Sequence, residues 1–183
     1  MDSSQIQSLI SSDPYLKKIQ CYIIFQEELP TFIEPESIYF ILIPNGRAKK
    51  TGKGTFDLGH WILLDFLKDK KGKGTKNYEQ ISYFDPYGRR PTSDVLKKLK
   101  GSARFMQAKL FVNSTVVQTV GSLCGVYSAY AALLRARGFS YKNILTKKIS
   151  KRAKLNIKIL PDLIASLLPR ENRKLDRFSL DFI

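Results

Sequence analysis

The spacing of hydrophobic and polar positions changes several times along the chain, and each change marks an element. Residues 4–11 carry the spacing of a short helix, closed off by Asp13-Pro14. Residues 19–25 and 37–43 are β-branched and aromatic runs and read as strands. Residues 60–67, HWILLDFL, are almost continuously apolar; a strand of that kind is covered on both faces and so sits centrally in a sheet. Residues 80–84 are the strand that follows. Two strands joined by a flexible loop form an antiparallel pair, which sets the start of one beside the end of the other. Thr92-Ser93-Asp94 offers an N-cap for a short helix ending near Gly101, and residues 109–113 are a further strand. Residues 124–137 predict a helix with small residues on one face, basic residues in its last turn and Gly138 as its stop. Residues 140–149 read as one more helix. A last one starts at Pro161, a favoured first-turn position, and runs to Pro169. The tail from Arg170 is polar and ends in FSLDFI, a segment that could dock. The expected class is α+β, a central mixed and mostly antiparallel sheet flanked by helices. No repeat or linker interrupts it, so residues 1–183 are read as one domain, with a core of about 37–135 and a basic helical part over 138–183.

Composition adds one unusual feature. The 183 residues hold 31 Lys and Arg against 16 Asp and Glu, a net charge of +15, with ordinary hydrophobic (43%) and aromatic (11%) content. The charge is uneven: residues 1–36 carry two Lys and six acids, whereas two loops, RAKKTGKG at 47–54 and KDKKGKGTK at 68–76, are strongly basic. A field of that sign attracts polyanions, of which nucleic acid is the commonest. Lys49, Lys50, Lys53, Lys70, Lys71 and Lys73 in the loops, with Lys147, Lys148, Lys151 and Arg152 further on, are the candidate phosphate contacts. No zinc-finger, helix-turn-helix or RNA-recognition pattern is present, so such contacts would be indifferent to base sequence. A solubilising surface is the plainer explanation of the same charge. The N-terminal MDSSQIQSLISSDPY lacks the pattern of a signal peptide, and no stretch reaches the roughly 18 apolar residues of a membrane span. Cys21 and Cys124 form no metal-ligand pattern with the single His, and a reducing cell interior is expected.

Nucleophilic catalysis by cysteine needs a base to exchange its proton and a group to orient that base. With one His in the chain, any such pair joins His60 to Cys21 or Cys124. Cys124 fits by position, at the predicted start of a helix, where unpaired N–H groups and the macrodipole favour a thiolate; Gly125 leaves room for a substrate backbone. Cys21, in IQCYIIF, reads as a small core residue of a strand. His60 begins the central strand. Asp85 ends its neighbour in YFDPYG, which is ordinary turn chemistry and also places a carboxylate within reach of the second ring nitrogen. Gln118 supplies a neutral amide donor six residues before Cys124.

Taken together, Gly59-His60-Trp61, Phe84-Asp85-Pro86-Tyr87-Gly88, Gln118 and Ser122-Leu123-Cys124-Gly125-Val126-Tyr127 resemble the adenain family. That family holds the adenovirus protease, the SUMO-deconjugating proteases and maturation proteases of DNA viruses and virophages. The resemblance covers about residues 37–135. It implies a papain-like or adenain-like cysteine protease with its nucleophile at the N-terminus of a central helix. Cys124 would be nucleophile, His60 base, Asp85 orienting acid and Gln118 oxyanion donor. Trp61 would match the tryptophan that walls a tunnel for small residues before the cut bond; a core tryptophan is the simpler reading. The interval of 25 residues from His60 to Asp85 is long for the family, and the 68–76 loop accounts for the excess.

A near-minimal, basic chain of this type is expected to be packaged in a virion as a monomer and to cleave capsid or core precursors at Gly-rich sites. It would need no cofactor, with DNA a possible activator, and would act in the virion and the host cell interior. The alternatives are a SUMO-type deconjugating protease, an acetyltransferase using the same Cys–His pair, and a non-catalytic basic nucleic-acid-binding virion protein.

Overall fold

The computed structural model describes residues 1–44, 50–51, 54–55, 59–69, 78–119 and 123–149. Helix α1 (Ser3–Ser12) begins with a capping box in which Asp2 accepts from the Gln5 N–H at 2.9 Å and the Gln5 side chain accepts from the Asp2 N–H at 3.0 Å. Asp13 ends it, accepting from the N–H groups of Tyr15 and Leu16. Strands β1 (Gln20–Phe25) and β2 (Ser37–Pro44) follow as the sequence predicts. The first basic loop is not wholly irregular: β3 (Lys50–Thr51) and β4 (Gly54–Thr55) pair antiparallel as a miniature hairpin, which a Thr-Gly-Lys-Gly sequence favours.

Strand β5 (Gly59–Asp69) is longer than the apolar run that announces it, as is β6 (Tyr78–Phe84), because ladder pairing carries both into polar sequence as far as Asp69 opposite Tyr78. With β7 (Lys109–Val112) they form one mixed sheet in the order β1-β2-β5-β6-β7. The two central ladders, β2–β5 and β5–β6, are antiparallel, and a parallel ladder lies at each edge. β5 is the middle strand, and its alternation fills two cores. Trp61, Leu63 and Leu67 face a cluster built with α1 and the later helices, while Ile62, Leu64 and Phe66 face one built with α2.

Helix α2 (Ser93–Phe105) starts at the expected cap, Thr92, but runs through Gly101 instead of stopping there. A Cβ at Gly101 would meet nothing within 4 Å, so this glycine answers no packing need. The reversal is made by Gln107 at φ 52°, with the Ala108 N–H returning to Ala103 O at 2.9 Å. Helix α3 (Cys124–Ala136) is buried from Cys124 to Arg135 and stops at Gly138, φ 82°, as its sequence predicts. Its basic residues divide their work. Arg137 donates to Leu133 O at 3.0 Å, as a helix-end cation should. Arg135 instead turns inward to Asp65 on β5, donating to Oδ1 through Nε at 3.1 Å and Nη2 at 2.9 Å, while the Tyr141 hydroxyl donates to Oδ2 at 2.9 Å. Losing one partner of such a buried pair costs about 3–5 kcal/mol.

The helix expected over 140–149 is a single α-turn, α4 (Tyr141–Asn143), continued by a π-helical turn at Ile144–Lys148. The Thr146 hydroxyl donates to the Lys142 carbonyl at 2.7 Å, and the Ile149 N–H donates to Ile144 O at 2.8 Å, so the regular ladder is broken locally. The expected Pro161 helix and the terminal segment lie outside the described residues, as do Lys49, Lys53, Lys70, Lys71, Lys73, Lys151, Arg152 and Ser122; the Lys50 and Lys147 side chains are likewise not described. Lys148 is exposed, its ammonium 5.3 Å from the Phe139 ring. Among the described residues no helix is long and apolar enough to cross a membrane.

Candidate active site

Three elements converge at one end of the central strands. β5 enters the sheet at Gly59, paired with Pro44, and a Cβ there would lie 2.9 Å from Ile43 O; only glycine allows this approach. His60 is therefore the second residue of β5, held where the strand enters the sheet. In the β5–β6 ladder Leu63 is opposite Phe84, so the chain leaving β6 passes the start of β5 and delivers Asp85 to it. The His60 Nε2 to Asp85 Oδ1 distance is 2.8 Å, and both side chains are nearly sealed from solvent.

Asp85 is held from several sides. Its carboxylate also accepts the Tyr87 N–H at 2.7 Å, and its carbonyl accepts the Gly88 N–H at 2.8 Å. Asp-Pro-Tyr-Gly is thus a β-turn with an Asx turn inside it, and Gly88 at φ 67° supplies the conformation its last position takes. The ordinary turn is present, and it sets the Asp85 carboxylate against the His60 ring, where the reading as orienting acid requires it. From the end of β7, Asn113 donates to the Asp85 carbonyl at 2.9 Å and accepts the Asp85 N–H at 2.8 Å. The sequence reading missed Asn113. Its only signal is a polar residue closing the run KLFV.

Cys124 opens α3 as expected and is 5% exposed. Its sulfur accepts the Trp61 N–H at 3.4 Å, a donor that sequence reasoning did not identify. Burial pushes this thiol up. The adjacent His60 ring and the N–H groups of Trp61 and Gly125 outweigh that and hold it below its ordinary value. Burial opposes protonation of His60, but the bonds and charges of Asp85 and Cys124 prevail and raise it to about 9. Both shifts run in the direction of a thiolate beside an imidazolium. Since Nε2 is committed to Asp85, Nδ1 is the atom left to exchange a proton with sulfur. Its contact with sulfur falls outside ordinary hydrogen-bond geometry, as is common before substrate binds.

Gln118 is buried on the segment between β7 and α3. Its backbone N–H donates to Pro86 O at 3.0 Å and its amide to the Tyr87 hydroxyl at 3.2 Å, which ties it to the Asp85 turn. The Tyr87 ring lies 4.8 Å from that of His60, a contact that no local pattern announces. Trp61 is 2% exposed within the core cluster, its carbonyl taking the Ser128 hydroxyl at 3.4 Å. Cys21 behaves as a strand residue packed against the core, its sulfur 3.7 Å from Leu16 O.

Fold and site define a class: an α+β protein with a mixed sheet, a cysteine at the head of a buried helix and a carboxylate-anchored imidazole beside it. Among solved structures the chain is similar to two crystal structures of ASFV pS273R protease. The identity is 14% over 75% of this chain and 58% of that one, with a TM-score of 0.49, and for the selenomethionine form 20% over 63% and 40%, with a TM-score of 0.42. The similar part spans less than two-thirds of that protein. No family model and no curated protein sequence matches the chain.

Proposed function

We propose that the chain is a cysteine endopeptidase. The observation that carries this reading is the 2.8 Å His60–Asp85 pair set beside a cysteine whose acidity is enhanced although it is buried. The Cys124 thiolate attacks the scissile carbonyl, and its sulfur–carbon bond forms as the carbonyl electrons move to oxygen. The N–H groups of the first turn of α3 and the amide of Gln118 receive that oxyanion. His60 then passes the proton on Nδ1 to the leaving amine as the carbon–nitrogen bond breaks. A water enters, His60 takes its proton, and the hydroxide releases the acyl group from sulfur. Throughout, Asp85 holds Nε2–H and stabilises the charged ring without itself taking the proton.

The substrates we propose are capsid or core precursors of a DNA virus, cut after small residues in the virion or host cell, with DNA as an activating surface. The sequence resemblance and the net charge of +15 support this finer reading, and Trp61 beside Gly125 fits a narrow approach. Incubation with coat and core proteins of the source virus, followed by mass spectrometry of new termini, tests it. Cleavage at Gly-rich sites, faster with DNA at low salt, is expected. Cleavage of a SUMO-type fluorogenic conjugate and of no precursor would replace it with the deconjugating reading.

A further inference from the structure

The space that the sequence reading leaves for a substrate backbone at Gly125 is occupied. An ideal Cβ on Gly125 would lie 2.8 Å from Met1 Cβ, 3.0 Å from Met1 O and 3.1 Å from Trp61 Cδ1. Both the backbone and the side chain of Met1 therefore press on the residue that follows the nucleophile. Cys124 and His60 are themselves only 5% and 4% exposed, so a group lying beside them bears on access to sulfur.

We propose that Met1 is a resident competitor of substrate: the segment before α1 fills ground beside Cys124 in cis, and its displacement opens the site. This rests on the endopeptidase reading. The rest of α1 explains why Met1 lies there. Ile6 and Leu9 are buried in the same cluster as α3, and at the far end Arg137 Nη2 donates to Asp13 Oδ2 at 2.6 Å. α1 therefore runs alongside α3 in the same direction, with Met1 delivered to the first turn of α3 and Asp13 to its last. The capping box of Asp2 and Gln5 fixes the first turn of α1 and with it the direction in which Met1 leaves. Met1 itself is only half-buried, unlike Ile6 and Leu9, so it can lift while α1 stays docked. Methionine is unbranched and adaptable, and it occupies a seat walled by a glycine and a tryptophan edge. A competing substrate would put an extended backbone with a small or unbranched apolar side chain in the same place.

The test compares the full chain, Asp2→Ala and a form lacking Met1 and Asp2, reading Cys124 alkylation by iodoacetamide and by a bulkier maleimide. The shortened form is expected to react about tenfold faster with the bulkier probe, as removal of a weakly held segment should allow. Asp2→Ala should fall between. Cooperative thermal unfolding of each protein confirms the fold, and if the shortened form fails that check, Asp2→Ala decides alone. Equal rates in all folded forms, or slower alkylation after shortening, overturn the proposal. Alkylation reads access to sulfur without any peptide being cut. Faster alkylation with no cleavage of any precursor would therefore sink the endopeptidase reading alone, and unchanged alkylation with brisk cleavage would sink this one alone.

Discussion

Cys21, partly buried on strand β1, and Cys124, buried at the head of α3, are both withdrawn from solvent, yet their surroundings send them in opposite directions. Burial raises both thiols. At Cys21, on edge strand β1, nothing opposes it and the carboxylate of Asp13 adds to it, so the thiol is pushed up to about 12. At Cys124 two backbone N–H groups and an imidazolium reverse the sign. Desolvation alone thus makes an inert thiol, and donors aimed at sulfur make a nucleophile. A cysteine's burial says little about its reactivity until the neighbours of its sulfur are known.

The sharpest way to break the comparison is to remove its active member. Cys124→Ala should abolish turnover, a loss on the order of 10⁶ in kcat, with the circular dichroism spectrum unchanged. His60→Ala should cost nearly as much and should also erase the thiolate ultraviolet absorbance, leaving Cys124 closer to Cys21 in its alkylation rate. Asp85→Asn keeps the turn but loses the anchor of Nε2, and a loss of up to about 10⁴ in kcat is expected from steady-state kinetics. Gln118→Ala should cost about 10²–10³ in kcat with little change in KM, as expected for loss of one oxyanion donor. The pH dependence carries a sign of its own. The fold favours the protonated His60 ring, so this contribution to stability is complete below the ordinary value of 6.5 and is lost as pH rises through about 9. Turnover by the thiolate–imidazolium pair should decline over the same alkaline limb. The smallest effect belongs to Cys21→Ser, which should leave kcat/KM unchanged and lower stability by about 1 kcal/mol in a denaturant titration.

Much of this was legible because period and turn chemistry are local signals. The apolar run at 60–67 announced the middle strand, and Asp-Pro-Tyr-Gly announced the turn that carries the acid. The helix head at Cys124 followed from small residues before a basic end. What escaped was set by contacts between distant parts of the chain. Asn113 grips a backbone 28 residues away, and Arg135 finds Asp65 at a separation of 70. Nothing in the local pattern tells an arginine that completes a helix end from one buried against a strand. Gln107, taking the left-handed conformation where Gly101 had seemed the stop, shows that a non-glycine can end a helix when the next segment is held by a sheet. Met1 over Gly125 follows from the direction in which α1 docks, which no spacing encodes.

The β5–β6 ladder has a practical consequence. Chain leaves it at Asp69 and re-enters at Tyr78, whereas the His60–Asp85 pair sits past Leu63 and Phe84. Six strand residues separate the two ends, roughly 20 Å. A fluorescent protein or affinity handle spliced between residues 70 and 77 would be anchored well away from the reacting atoms. A reporter at that junction is expected to leave the reactivity of Cys124 unchanged.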